Sequence, residues 1–148
     1  MNALAAVLVL TGAVTLGDGD LRTAAGEAFS LDELLARGPA VLVLWNSWLP
    51  DAREFAALIP EVEAAASRDK WPGAVIIFQE EHPESARALL PEGGTLPLVF
   101  DRRGELVRKF KVTRAPAVLL VERDGTVRAR CGPDAAAVRA LVEQMGRR

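Results

Sequence analysis

Two apolar runs with no polar interruption constrain this chain more than any other feature: residues 40–45 (AVLVLW) and residues 74–78 (AVIIF). A strand with one solvated face alternates polar and apolar side chains. A run without alternation fits a strand covered on both faces. Between the two lie Phe55, Leu58, Ile59 and Val62, spaced as on one side of a helix. Strand, helix, strand is a parallel βαβ unit, and helices must then cover both faces of its sheet.

The remaining elements follow from local signals. Residues 21–31 mix small and polar side chains around Gly26, as a short hairpin would. Ser30 and Glu33 have capping-box spacing, so a short helix starts there and ends at Gly38, before Pro39. Trp48-Leu49-Pro50-Asp51 reads as the start of the long helix, with proline in its first turn and Asp51 favoured by the helix dipole. Pro60 should kink that helix. Short helices are expected at 83–90 and 105–110, and a brief strand at 98–100, followed by a turn at 101–104. Residues 117–122 and 126–131 flank Arg123-Asp124-Gly125, a hairpin with an Asp-Gly turn. Pro133-Asp134 opens a last helix carrying Val138, Leu141, Val142 and Met145 on one face. The expected class is α/β, a mixed sheet of about five strands flanked by helices.

Composition removes several functions. A length of 148 residues, half of them hydrophobic, suits one domain, placed at residues 17–148. The net charge of -2, with basic and acidic residues interspersed, offers no stripe for nucleic acid; Arg102-Arg103 and Arg147-Arg148 are surface pairs only. Cys131 is the single cysteine and His82 the single histidine. No intramolecular disulfide and no cysteine- or histidine-built zinc site can be assembled from them. Asp18, Asp20 and Asp101 lack the spacing of a metal loop, and no metal or cofactor is expected. Residues 3–16 are nearly all apolar, too few to span a bilayer, and match the core of a signal peptide with Thr11-Gly12-Ala13 as a cleavage site. A first buried strand is the alternative for this segment. Export, to a periplasm or beyond, is expected on the first reading; a cytoplasmic location follows from the second. Membrane association is expected only if the segment is retained.

Three stretches carry a resemblance: GPAVLVLWNSWLPDAREFAALIPEVE (residues 38–63), LPLVFDRRG (96–104) and VTRAPAVLLVERDGTVRARCG (112–132). In this order and spacing they resemble the thioredoxin superfamily, in particular its TlpA-like or redoxin branch of thiol-disulfide reductases. The similarity extends over most of residues 21–146. It implies a thioredoxin-like fold, with Pro116 as the cis-proline that faces the active-site turn. It also implies that the backbone before Pro116, at Ala115, pairs with an extended peptide.

The departure lies in the turn itself. Redox-active members carry W-C-x-x-C; here Trp48 is followed by Leu49, Pro50, Asp51 and Ala52. Leu49 takes the position of the attacking cysteine and Ala52 that of the resolving one. A thiolate is the nucleophile in dithiol exchange, and its partner thiol resolves the mixed disulfide. Neither aliphatic side chain can do either, so dithiol chemistry at this site is excluded. The expectation is a redox-inactive module that binds protein or peptide through Trp48, Leu49, Pro50, Asp51, Ala52, Ala115 and Pro116. The alternative is a single-thiol redox protein acting through Cys131, which otherwise reads as a small buried hydrophobe.

Overall fold

A computed structural model of the protein describes residues 21–147. The apolar segment 3–16, with its signal-peptide reading, and Asp18 and Asp20 lie outside the described residues.

The elements, in chain order, are β1 (Leu21–Thr23), α1 (Leu31–Ala36), β2 (Ala40–Trp45), α2 (Ala52–Ala56), α3 (Ile59–Asp69) and β3 (Gly73–Phe78). They continue with α4 (Pro83–Leu89), β4 (Leu98–Asp101), α5 (Glu105–Lys109), β5 (Ala117–Val121), β6 (Val127–Cys131) and α6 (Ala135–Gly146). The described strands form one sheet in the order β1-β4-β3-β2-β5-β6. β2, β3 and β4 run parallel, while β1, β5 and β6 each pair antiparallel with their neighbour.

The uninterrupted runs are explained by two cores. Val41, Val43 and Trp45 pack with Val75, Ile77 and Val118 under α2, α3 and α6. Leu42, Leu44 and Ile76 face the opposite way, with Leu34, Leu35 and Leu106 from α1 and α5. Every residue of β2 and β3 is buried. Each such aliphatic side chain contributes about 1.5–3 kcal/mol relative to exposure. The close approach of these strands also dictates Gly73. A Cβ there would stand 2.5 Å from the Val41 carbonyl oxygen and 2.7 Å from its side chain. Gly73→Ala is expected to cost about 3 kcal/mol, measured as a lower urea midpoint at unchanged slope.

Three expectations are corrected. The sheet has six described strands rather than about five, because β1 joins it. Leu21, Arg22 and Thr23 pair with Asp101, Phe100 and Val99. Leu21 is fully buried by this pairing. The expected hairpin at 21–31 is present as a tight return around Gly26, with an antiparallel bridge from Arg22 to Ala28 and backbone bonds from Thr23 N–H to Glu27 and from Phe29 N–H to Leu21. The helix expected at Pro50 starts at Ala52 instead, with Asp51 at its N-cap making no side-chain capping bond. Pro60 does more than kink it. Proline has no N–H to give to the preceding turn and its ring collides with the carbonyl four residues back. The helix accordingly ends at Ala56 and restarts at Ile59, joined by short Leu58-to-Phe55 and Glu61-to-Leu58 backbone bonds.

Candidate binding face at the ends of the central strands

Topology gathers four loops at one edge of the sheet. β2 and β3 are parallel, with Trp45 level with Ile77, so the segments 46–51 and 79–82 leave side by side. β5 is antiparallel and Ala117 lies against Leu44, so the loop that enters it, 113–116, arrives at the same edge. β6 reverses again and delivers Cys131 and Gly132 there. Loops beyond the carboxyl ends of parallel strands are the usual site of function in such sheets.

The turn after β2 is held by polar groups. Asn46 is fully buried. Its Nδ2 donates to the Phe78 carbonyl at 3.1 Å, and its Oδ1 accepts from the backbone N–H groups of Trp48 (3.2 Å) and Leu49 (3.1 Å). The Ser47 N–H donates to Glu80 Oε1 at 2.9 Å, tying the turn to the neighbouring loop. Trp45, a core residue, donates its indole N–H to the Ala52 carbonyl at 2.8 Å and so fastens the strand end to the helix start. Trp48 donates its own to the Gln79 carbonyl at 3.0 Å. Gln79 takes the left-handed conformation (φ 51°) that presents this carbonyl, and its N–H is satisfied by the Asp101 carbonyl.

The expected site residues do not all reach the surface. Trp48 is 57% exposed, and Pro50 and Asp51 are exposed too. Leu49 is half-buried and packs against both cores. Ala52 is buried and Pro116 is buried; both shape the face without offering it a side chain. The Ala115–Pro116 peptide bond is cis. Thr113 and Arg114 are exposed and Ala115 half-buried. Among the described residues the backbone groups of 113–115 take no hydrogen-bond partner. A hollow of about 580 Å³ opens beside them, lined by Asp51, Glu54, Leu58, Arg114 and Asp134 among others.

Cys131 sits half-buried on the edge strand, level with Val118 and, one strand further, Val43. Burial pushes its thiol above the ordinary range. A backbone hydrogen bond at Val118 pulls the other way, and the Asp134 charge adds to the rise. No helix N-terminus activates it, since α6 begins at Ala135 with Asp134 already capping it. His82 is exposed in the loop before α4. Asp101 is fully buried and caps α5, accepting from the N–H groups of Glu105 (3.0 Å) and Leu106 (2.9 Å). Among the described residues no cluster of three or more histidine, cysteine, aspartate or glutamate side chains could hold a metal ion. No described helix is long and apolar enough to cross a membrane.

Sequence reasoning missed Asn46, Gln79, Glu80 and Arg114. Their positions carried a signal: each stands within two residues of the end of an apolar run or of Pro116, where the topology converges the loops.

No protein-family model matches the chain, and no curated protein matches it. Solved structures do resemble it. A Chlorobium tepidum protein described as a thiol:disulfide interchange protein, DsbE, superposes with a TM-score of 0.68 at 19% identity, over 84% of this chain and 87% of that one. A secreted disulfide oxidoreductase of Mycobacterium tuberculosis gives 0.64 at 19% identity, over 83% and 92%. An exposed lipoprotein thioredoxin of Streptococcus pneumoniae gives 0.64 at 16%, over 84% and 96%. The chain has a thioredoxin-like fold, in the form these thiol-disulfide proteins share.

Proposed function

We propose that this thioredoxin-fold chain is a redox-inactive binding module that takes a protein or an extended peptide at the Trp48–Leu49 turn and the loop before Pro116. One observation carries the reading: the turn is intact in its hydrogen bonds while positions 49 and 52 hold leucine and alanine. A helix start framed in this way without a nucleophile can present a surface but cannot exchange disulfides. The free backbone groups of 113–115 support pairing with an extended segment by strand addition. The exposed indole of Trp48 supports an anchoring role, tryptophan being a common centre of binding energy. Export is part of the proposal, supported by the apolar residues 3–16 and by the secreted and exposed proteins that share the fold.

The test has two readings. In an insulin disulfide-reduction assay with dithiothreitol, the natural protein should run at the rate of dithiothreitol alone, and Cys131→Ser should not change it. Cys131 should also react with a thiol reagent at pH 7 more slowly than a free thiol, because its thiolate is disfavoured by burial. Turnover that disappears in Cys131→Ser would instead establish the single-thiol reading.

A further inference from the structure

Resting on the reading of this face as a peptide-binding surface, we propose that the cleft beside Trp48 receives a basic side chain, arginine or lysine, of the bound protein segment. The cleft has a volume of about 970 Å³ and runs between Ser47, Trp48, Glu80, Glu81, Ser85 and Leu89.

Trp48 forms one wall. It is the single large hydrophobic side chain exposed among the described residues. It does not lie loose on the surface. Its indole N–H is held by the Gln79 carbonyl at 3.0 Å, and its ring stands at 76° to Phe78 with 6.4 Å between centroids. The ring is therefore ordered before any partner arrives, which lowers the entropic cost of binding. The face of such a ring attracts cations.

Carboxylates form the other wall. Glu80 accepts from the N–H groups of Ser47 (2.9 Å) and His82 (3.4 Å), one on each oxygen. These bonds fix the carboxylate and leave further acceptor sites on both oxygens. Glu81 is exposed and makes no ion pair among the described residues. His82 also lines the cleft, and Arg102 lines an adjoining hollow that Glu80 and Glu81 border as well. Around the turn, Asp51, Glu54 and Asp134 line the second hollow with Arg114. Five carboxylates thus stand against two guanidiniums, Arg102 and Arg114, along these three hollows. That excess is larger than the -2 of the whole chain, so the charge is concentrated on this face.

An apolar or acidic side chain entering the cleft would strip water from carboxylates and give nothing in return, and a neutral amide or hydroxyl would return a hydrogen bond but no charge. A guanidinium stacks on indole and pairs with a carboxylate through its planar fork, and an ammonium satisfies the same two attractions as a point charge. The ring and the carboxylates therefore select the same sign of charge.

The test is a titration of the full-length, nitrogen-15-labelled protein with three peptides: acetyl-GRGRG-amide, acetyl-GQGQG-amide and acetyl-GEGEG-amide. The Trp48 indole resonance is assigned with Trp48→Phe. The arginine peptide should move that resonance and the Glu81 amide, with an affinity that falls as salt is added. Glu81→Gln, an exposed change that leaves the fold intact, should weaken it by about three- to fivefold. Equal movement by the glutamine or glutamate peptide overturns the inference, as does indifference to Glu81→Gln. If the glutamine peptide moves the 113–115 amides while no peptide moves Trp48, the cleft inference fails and the binding-module reading stands. If no peptide moves either set, both fail. A Trp48 shift that grows with protein concentration alone assigns the cleft to a second copy and overturns it as well.

Discussion

The double variant Leu49→Cys, Ala52→Cys is expected to reduce insulin disulfides at a rate on the order of tenfold or more above the natural protein. The frame for the chemistry is present. The Ala52 N–H donates to the Leu49 carbonyl at 3.1 Å, so the two positions face each other across one tight turn. Such a turn brings Cα atoms within the range a disulfide requires. Leu49 is half-buried and Ala52 buried, an asymmetry that leaves the first thiol open to a substrate and shelters the second as its resolving partner. The first thiol would also lie just before α2, whose dipole favours a thiolate. Each single variant should stay at background, since neither supplies both nucleophile and resolving thiol. A double variant that folds, by its circular dichroism and melting transition, and yet stays inert would show that the turn differs from a working thioredoxin site in more than two side chains.

The second large effect is expected at Asn46, which carries no reactive chemistry. Asn46→Ala removes three hydrogen bonds in a site with no exposure. The loss is about 2–3 kcal/mol, or roughly 6–10 °C in Tm for a chain of this length. Asn46→Asp should cost as much despite its matching shape. It keeps the acceptor for Trp48 and Leu49, but sets an oxygen against the Phe78 carbonyl and buries a charge. Ser47→Ala, at the adjacent position, should move stability by less than about 0.5 kcal/mol, since among the described residues the Ser47 hydroxyl makes no hydrogen bond and only its backbone N–H does. Thermal unfolding of the three variants side by side separates the Asn46 clamp from a general sensitivity of the turn.

The legible part of the fold was the part written in burial. The runs at 40–45 and 74–78 fitted central strands, and the Asp-Gly turn pointed to the β5–β6 hairpin around Gly125. Thr23 is half-buried and Arg22 exposed in β1, so a three-residue edge strand left no alternation long enough to read. Its pairing is set by β4, far away in the chain. Pro60 was visible, but whether it bends or breaks a helix depends on how the following turn packs, and Ile59 and Val62 bury themselves best in a helix started afresh. At the site, the missing cysteines were plain from the sequence. The hydrogen-bonding clamp was not, because Asn46, Gln79 and Glu80 act across 31 to 33 residues of separation. Local patterns cannot record such bonds, and a polar residue after a strand is the most ordinary thing in a sequence.

The bond from the Trp45 indole to the Ala52 carbonyl closes residues 45–52 into a loop whose two ends are pinned by a core side chain and a main-chain carbonyl, neither of which depends on the side chains at 49 and 52. With Asn46 as an inner strut, the backbone of this loop is held by bonds that none of the side chains at 49, 50 and 51 makes. It behaves as a cassette: a scaffold that tolerates exchange of its contents without re-forming its walls. A chain built in this way can drop or regain a reactive group in two substitutions while its fold and its neighbouring surfaces stay in service. The same tolerance makes residues 47–51 a natural place to insert a foreign recognition sequence.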